Sequence, residues 1–155
     1  MSEQTASALC KREYETLSEF RYRLRQFLRF SEEAAHGLGI THLQYQLLLQ
    51  VAGFPGRDWA TVGELAERLQ IHHHGAVALI SRCGKAGLVE RQTGRRDGRA
   101  VEVHLTGRGR EVVARLAGLH RDELLRLQGI FHVPGFAELA NAPERGIAGT
   151  PTTGK

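Results

Sequence analysis

Arginine is concentrated in the second half of the chain, between Arg91 and Arg110. This stretch contains six basic and two acidic residues, and the excess of four equals the net charge of +4 of the whole 155-residue chain. A basic cluster of this kind suits a polyanionic partner, because guanidinium groups bind phosphate oxygens. The basic residues are Arg91, Arg95, Arg96, Arg99, Arg108 and Arg110, and the acidic residues are Asp97 and Glu102.

Three consecutive histidines, His72–His74, form the second group that could do chemistry. Side chains of consecutive residues on a helix point about 100° apart, so not all three can meet one ligand. Neutral imidazole is a common zinc ligand, but consecutive histidines on one helix cannot close a tetrahedral site. A metal would need His36, His42, His104 or a carboxylate brought near by folding. We therefore assign no metal to these histidines and expect at least one of them to contact the polyanionic partner.

Catalytic and secretory motifs are absent from the sequence. It has no Ser, His and Asp arrangement, no phosphate-binding glycine loop and no HExxH spacing. Cys10 and Cys83 are too few and too far apart for a disulfide scaffold. No signal-like apolar segment opens the chain, and nowhere do eighteen apolar residues run together. The sequence predicts a cytoplasmic protein with two reduced thiols that is not an enzyme and needs no cofactor.

Hydrophobic periodicity predicts the helices that would position these residues. Apolar residues recur every three or four positions from Tyr14 to Ala35, which is typical of an amphipathic helix. Thr41 and Thr61 are each followed three residues later by Gln or Glu, the spacing of a capping box, and each should begin a helix. The second helix ends at Gly53, the third runs to Leu69, the fourth spans His72 to Ala86 and the fifth begins after Thr106.

Two strands and a basic loop are predicted between the last two helices. The strands are Leu88–Thr93 and Val101–Leu105. In the second strand, Val101, Val103 and Leu105 should alternate with an outward-facing Glu102 and His104. The loop between the strands, residues 94–100, is too basic and too rich in glycine to fold inward. We expect it to project into solvent as a positively charged wing.

The order of these elements fits recognition of duplex DNA. A helix fits the major groove, where all four base pairs can be distinguished, and the preceding helix braces it. A thin loop tipped with arginine can enter the narrower, electronegative minor groove. This order predicts a winged helix-turn-helix from Thr61 to Leu105.

At this point the residues also resemble the MarR family of transcriptional regulators. The resemblance extends from about Tyr14 to Gln128, and its most specific part is an Asp-x-Arg wing followed by Leu-Thr-x-x-Gly. The segments that carry it are Leu65-Ala66-Glu67-Arg68-Leu69, Gly87-Leu88-Val89-Glu90-Arg91, Asp97-Gly98-Arg99-Ala100-Val101 and Leu105-Thr106-Gly107-Arg108-Gly109.

The resemblance implies a recognition helix from His72 onward and a wing in which Asp97 steadies a minor-groove arginine, Arg99. The chain departs from the family at Gly98, where a basic residue is usual. Some of the wing's affinity for DNA is therefore expected to come from the neighbouring arginines instead. It also carries Val77 and Ala78 where Thr and Arg are common. The predicted DNA-binding residues are His72, His73, His74, Val77, Arg82, Arg95, Arg96 and Arg99.

The resemblance further implies a homodimer held by the first and last helices, and a small-molecule effector. Some similar regulators sense peroxide through a cysteine in the first helix, but the corresponding position here is Phe20. Cys83 is interpreted as a core residue. The predicted dimer contacts are Leu17, Phe20, Leu24, Val112, Leu116 and Leu119, and the candidate ligand pocket consists of His36, Tyr45 and Trp59.

Taken together, the sequence predicts a mainly α protein with a small β-hairpin, in which a winged helix-turn-helix is flanked by dimerisation helices. The predicted function is a ligand-responsive repressor that binds a pseudo-palindromic operator as a homodimer. The alternatives are a winged-helix protein-interaction module and a metal- or redox-responsive regulator. The predicted segments are a flexible start (1–12), dimerisation helices (13–40 and 107–142), the DNA-binding domain (41–106), a short helical turn (136–140) and a disordered tail (143–155).

Overall fold

The computed structural model of the chain describes residues 9–94, 98–130, 132–135 and 139. The predicted turn of helix and tail lie outside these residues, except for Leu139. The elements are α1 (Lys11–Gly37), α2 (His42–Ala52), β1 (Trp59–Thr61), α3 (Val62–Leu69), α4 (His73–Lys85), β2 (Val89–Thr93), β3 (Val101–Leu105) and α5 (Gly107–Arg126).

The chain divides into two compact units. The larger unit, Gln26–Gln128, contains the end of α1, the helices α2 to α5 and the sheet. The smaller unit consists of residues 1–25 and 129–155 and contains the start of α1. No helix in the described part of the chain is long and apolar enough to cross a membrane.

Two capping boxes fix the beginnings of α2 and α3, as predicted. The hydroxyl of Thr41 accepts a bond from the Gln44 amide, and the Gln44 side chain accepts one from the Thr41 amide. Thr61 and Glu64 exchange the same pair of bonds at the start of α3. Each box gives partners to amides that would otherwise have none inside the helix, so both helix starts are set by local sequence.

The sheet has three antiparallel strands in the order β1-β3-β2. The sequence predicts only the pair β2 and β3, with an extended link through Trp59. That link is instead the edge strand β1, in which Ala60 pairs with Val103. On the other side of β3, Arg91 pairs with Val103. The central strand is therefore hydrogen-bonded along both edges and anchors the hairpin to the helices.

The predicted alternation in β3 is wrong at two positions. Val101 is exposed, because it pairs with Thr93 beyond the end of β1. Glu102 is 8% exposed, and its Oε2 lies 2.9 Å from Nε2 of a half-buried His104. The outward face of this strand is therefore covered rather than solvated.

A single apolar core joins the helices to the sheet. Its residues come from the end of α1, from α2, α3, α4 and α5, and from the strands. Buried side chains of this kind provide most of the free energy that stabilises short helices such as α3. The largest fully buried side chains are Tyr45, Leu47, Leu48, Leu65, Leu79, Ile80, Leu88 and Leu116.

Candidate nucleic-acid interface

Helix α4 has one buried side and one exposed side. Ala76, Leu79, Ile80 and Cys83 are buried against the core. His74, Val77, Ala78 and Lys85 are exposed and follow the spacing of a single helix face, with Arg82 beside them. This exposed face carries basic and neutral residues and no carboxylate.

The start of α4 is short of capping groups. His72 occupies the N-cap position without a side-chain cap bond, and the first turn contains no acidic residue. A helix start has amides without intrahelical partners and a partial positive charge, which favours anions. The preceding turn is tight, because Gln70 adopts a left-handed conformation with φ of 54°.

The three histidines are placed together but in different settings. The rings of His72 and His74 are stacked, with centroids 5.7 Å apart and planes 5° apart. His72 and His73 also line a cavity of about 370 Å³ beside α3, together with Gln70 and Ile71. All three histidines are exposed. His74 lies on the same helix face as Val77, so it is the histidine best placed to enter a groove.

The wing is closed at its base by a bond of 2.8 Å from the Gly94 amide to the Ala100 carbonyl. Arg99 is exposed in the described part of the loop. The predicted DNA-binding residues Arg95 and Arg96 and the structural residue Asp97 lie outside the described residues.

Arg91 connects strand β2, at the base of the wing, to α4, a role that sequence reasoning missed. Its Nη2 donates to the Ser81 hydroxyl at 2.9 Å and to the Val77 carbonyl at 3.3 Å. The basic cluster included Arg91, but the contact joins residues 10 and 14 positions apart and leaves no periodic signal. Both acceptors are neutral, so the guanidinium brings a positive charge to the boundary between helix and wing.

The junction between the wing and α5 is held by Thr106. Its hydroxyl donates to the Gly87 carbonyl at 2.6 Å and accepts from the Gly109 amide at 3.0 Å, which caps α5. The Thr106 amide donates to the Leu88 carbonyl at 3.1 Å. Gly87 has φ of +70°, a conformation that glycine adopts readily, and it lets the chain turn from α4 into β2.

Comparison with known proteins identifies this arrangement. Residues 38–100, which include α2, β1, α3, α4 and β2, match the MarR family. The resemblance to the MarR family is therefore confirmed over this segment. Members of this family are DNA-binding transcriptional regulators with a winged-helix fold. No curated protein sequence matches the chain significantly.

Solved structures share the fold at low sequence identity. AbsC, a MarR family transcriptional regulator from Streptomyces coelicolor, is 22% identical with a TM-score of 0.70, over 83% of this chain and 86% of AbsC. MepR, a transcription regulator of the Staphylococcus aureus multidrug efflux pump MepA, is 18% identical with a TM-score of 0.63, over 73% and 82%. A MepR mutant bound to an oligodeoxyribonucleotide is 20% identical with a TM-score of 0.60, over 77% and 84%.

An aromatic and ionic cluster lies at the start of α3. The guanidinium of Arg57 lies 3.9 Å from the centroid of the Trp59 ring and 4.3 Å from that of Phe54, and it binds the Glu64 carboxylate. Burial is the largest influence on Glu64 and raises its pKa. The hydrogen bonds from Arg57 and Thr61 together outweigh burial and lower it.

The three residues predicted for a ligand pocket lie in different settings. Tyr45 is 2% exposed and stacks on His120, with ring centroids 4.7 Å apart, and burial raises its pKa. Trp59 is half-buried between Arg57 and His104. His36 is exposed in the last turn of α1. The pocket stays a prediction.

The predicted dimer contacts on α5 differ in exposure. Leu116 is 0% exposed in the core of the single chain, so it is not available to contact a second copy, and its assignment as an interface residue is corrected. Val112 is half-buried against the same core. Leu119 is 47% exposed. On α1, Leu17 is exposed, and Phe20 and Leu24 are half-buried.

Sensing chemistry has limited support in the described residues. No group of three or more His, Cys, Asp or Glu side chains there could hold a metal ion. Nδ1 of His42 lies 3.3 Å from the Ser31 hydroxyl, and His104 contacts Glu102. Cys83 is a core residue, as interpreted from the sequence, and burial raises its thiol pKa to about 11. Cys10 is half-buried at the start of α1.

Proposed function

We propose that the protein binds a pseudo-palindromic operator as a homodimer and represses transcription in the cytoplasm until a small-molecule effector releases it. The observation that carries this proposal is the exposed face of α4, which has no carboxylate and is joined to the wing by Arg91. In this arrangement α4 enters the major groove and Arg99 enters the adjacent minor groove.

The residues of the interface divide into two kinds of contact. Arg82, Arg99 and the wing arginines bind phosphates and the minor groove, and these contacts provide most of the affinity. His74 and Val77 face base edges, where an imidazole can donate or accept and a valine can contact a thymine methyl. Affinity should therefore fall steeply with salt, whereas sequence preference should depend on the start of α4.

A homodimer places two recognition helices on one face of the duplex. The half-sites would then lie about one helical turn, or roughly 34 Å, apart and be related by two-fold symmetry. Leu119 supports this proposal, because it is a large apolar side chain left exposed on α5. Repression and release by an effector are extended to this chain from its resemblance to the MarR family.

Selection of bound duplexes from a random pool tests the proposal. The enriched sequence should contain two inverted half-sites, and the protein should bind it at least tenfold more tightly than a scrambled duplex. Arg99→Ala should weaken binding about tenfold and reduce the slope of log affinity against log salt by about one. Arg121→Ala removes the same charge from the exposed surface of α5 and is the matched control.

Two further measurements separate the parts of the proposal. Leu119→Asp should shift the protein from dimer to monomer in sedimentation and weaken binding to the two-half-site duplex. Equal affinity for the selected and scrambled duplexes would reject sequence-specific recognition and favour the alternative of a winged-helix module that holds a protein partner. A screen of small molecules for release of the bound duplex then tests the effector.

A further inference from the structure

Arg91 makes two bonds from strand β2, at the base of the wing, to one turn of α4. Its backbone belongs to β2 and pairs with Val103, which is 0% exposed in the central strand. Its Nη2 reaches Ser81 and Val77, which lie one turn apart next to the exposed face of α4. The side chain therefore extends from the fixed part of the sheet to the helix that is proposed to enter the major groove.

We propose that Arg91 is a positioning residue that clamps the wing to α4 and sets the spacing between the two DNA-reading elements. The proposal rests on the function proposed above. Duplex DNA has fixed groove dimensions, so a helix in the major groove and a loop in the minor groove can both bind only at one separation. A wing held at this separation before binding loses less conformational entropy when DNA is bound.

The chemistry of the contact requires arginine. A guanidinium carries five donors in a rigid plane, whereas a lysine ammonium is a single point on a flexible stem. The Val77 carbonyl lies inside an α-helix, where one lone pair of its oxygen accepts the bond from the amide four residues later. The oxygen has a second lone pair, and this one accepts the bond from Arg91. Lysine at this position would keep the charge but not hold both acceptors in one geometry.

A direct phosphate contact is the competing explanation for any loss of binding, because Arg91 is exposed and its two acceptors are uncharged. Ser81→Ala separates the two roles. It removes the shorter of the two bonds, 2.9 Å, without changing the charge of the protein. A clamp depends on Ser81, whereas a phosphate contact by Arg91 does not.

The first test compares a full operator with a core duplex that lacks the flanking base pairs facing the wing. Ser81→Ala and Arg91→Lys should each reduce the affinity ratio of full to core duplex at least threefold, while core binding changes less than twofold. The salt slope of Ser81→Ala should equal that of the wild type. Arg121→Lys is the matched control and should leave the ratio unchanged.

The outcome for a phosphate contact is different. Arg91→Gln would weaken both duplexes equally and reduce the salt slope by about one, and Ser81→Ala would have no effect. That result would overturn the clamp. If a variant were only less stable, the fraction of active protein would fall equally in the titrations of both duplexes. The ratio of full-operator to core affinity would then equal that of the wild type.

The second test needs no DNA. Hydrogen exchange of the β2 and β3 amides in the unbound protein should be at least threefold faster in Ser81→Ala and Arg91→Lys, with unchanged exchange in α2. Unchanged exchange in the hairpin of both variants would overturn the clamp, whether or not DNA binds. Faster hairpin exchange in a protein that binds no duplex would support the clamp and reject the proposed function.

Discussion

Replacing Gly109 with alanine should strongly destabilise the protein, although alanine is the better helix former. Gly109 is buried in the first turn of α5. An ideal Cβ on it would overlap the carbonyl oxygen of Leu88 and lie 3.0 Å from the carbonyl carbon. The obstacle is backbone, and it cannot move easily, because Leu88 accepts a bond from the Thr106 amide and donates one to the Cys83 carbonyl.

The magnitude follows from three opposing effects. Alanine is favoured over glycine in a helix interior by about 1 kcal/mol. Overpacking a buried site costs about 1–3 kcal/mol, and a clash with backbone belongs at the upper end of that range. Displacing α5 would also weaken the bond from Thr106 to Leu88, which contributes about 1 kcal/mol. Together these effects predict a loss of about 3 kcal/mol in the free energy of unfolding.

Urea denaturation of the full chain measures this loss as a lower midpoint at an unchanged slope. Gly107→Ala, in the same turn, is the matched control, because nothing lies within 4 Å of its ideal Cβ. It should stay within about 0.5 kcal/mol of the wild type. A Gly109→Ala protein as stable as the wild type would refute the close approach of α5 to Leu88.

Three other predictions concern buried or paired groups. His120→Phe should raise the melting temperature, because it removes a buried Nε2 that has no hydrogen-bond partner among the described residues, a defect that costs about 1–3 kcal/mol. This gain outweighs the loss of the 2.6 Å bond between Nδ1 and the Leu116 carbonyl, which contributes about 1 kcal/mol. In native protein at pH 8, iodoacetamide should modify half-buried Cys10 well before Cys83, whose pKa is raised to about 11, and peptide mass spectrometry measures this order. Glu64 has a lowered pKa, so its contribution to stability is present above the ordinary carboxyl value of 4.5 and is lost as the pH falls through the lower folded value. Urea midpoints from pH 7 to 3 should therefore fall less steeply in Glu64→Gln than in the wild type.

The sequence predicts the helices because their signals are local. The capping boxes at Thr41 and Thr61 each involve residues three positions apart, and both form as predicted. The amphipathic pattern of residues 14–35 places α1 within three residues at either end. A helix start or face is set by neighbours along the chain, so the chemistry of the sequence is sufficient to find it.

The sheet and its neighbours depend on contacts that are distant in sequence. Strand β1 has only three residues, too few for a periodic pattern, and it forms because Ala60 pairs with Val103. The same pairing brings Trp59 against His104 and helps to cover Glu102. Neither strand β1 nor the burial of the Glu102 carboxylate could be predicted from composition or from the alternation of apolar and polar residues.

The candidate site is predicted in part for the same reason. Periodicity places Arg82 on the exposed side of α4, as observed, but it groups Val77 with the apolar side, although Val77 is exposed. The bonds of Arg91 to α4 are tertiary and leave no local signal. Periodicity also cannot distinguish burial by the same chain from burial by a second copy. Leu116 fits both descriptions in the sequence, and the structure places it in the core of the single chain.

The Leu-Thr-x-x-Gly part of the family motif describes the base of the wing rather than its contact with DNA. Leu105 is buried, Thr106 binds Gly87 and caps α5, and Gly109 allows the close approach to Leu88. Each position of Leu-Thr-x-x-Gly thus has a structural task in holding the hairpin on the core. The residues on the exposed side of α4, including His74, have no such task. Sequence preference can therefore differ between proteins that share this hairpin, because it depends on residues that the packing of the wing does not constrain.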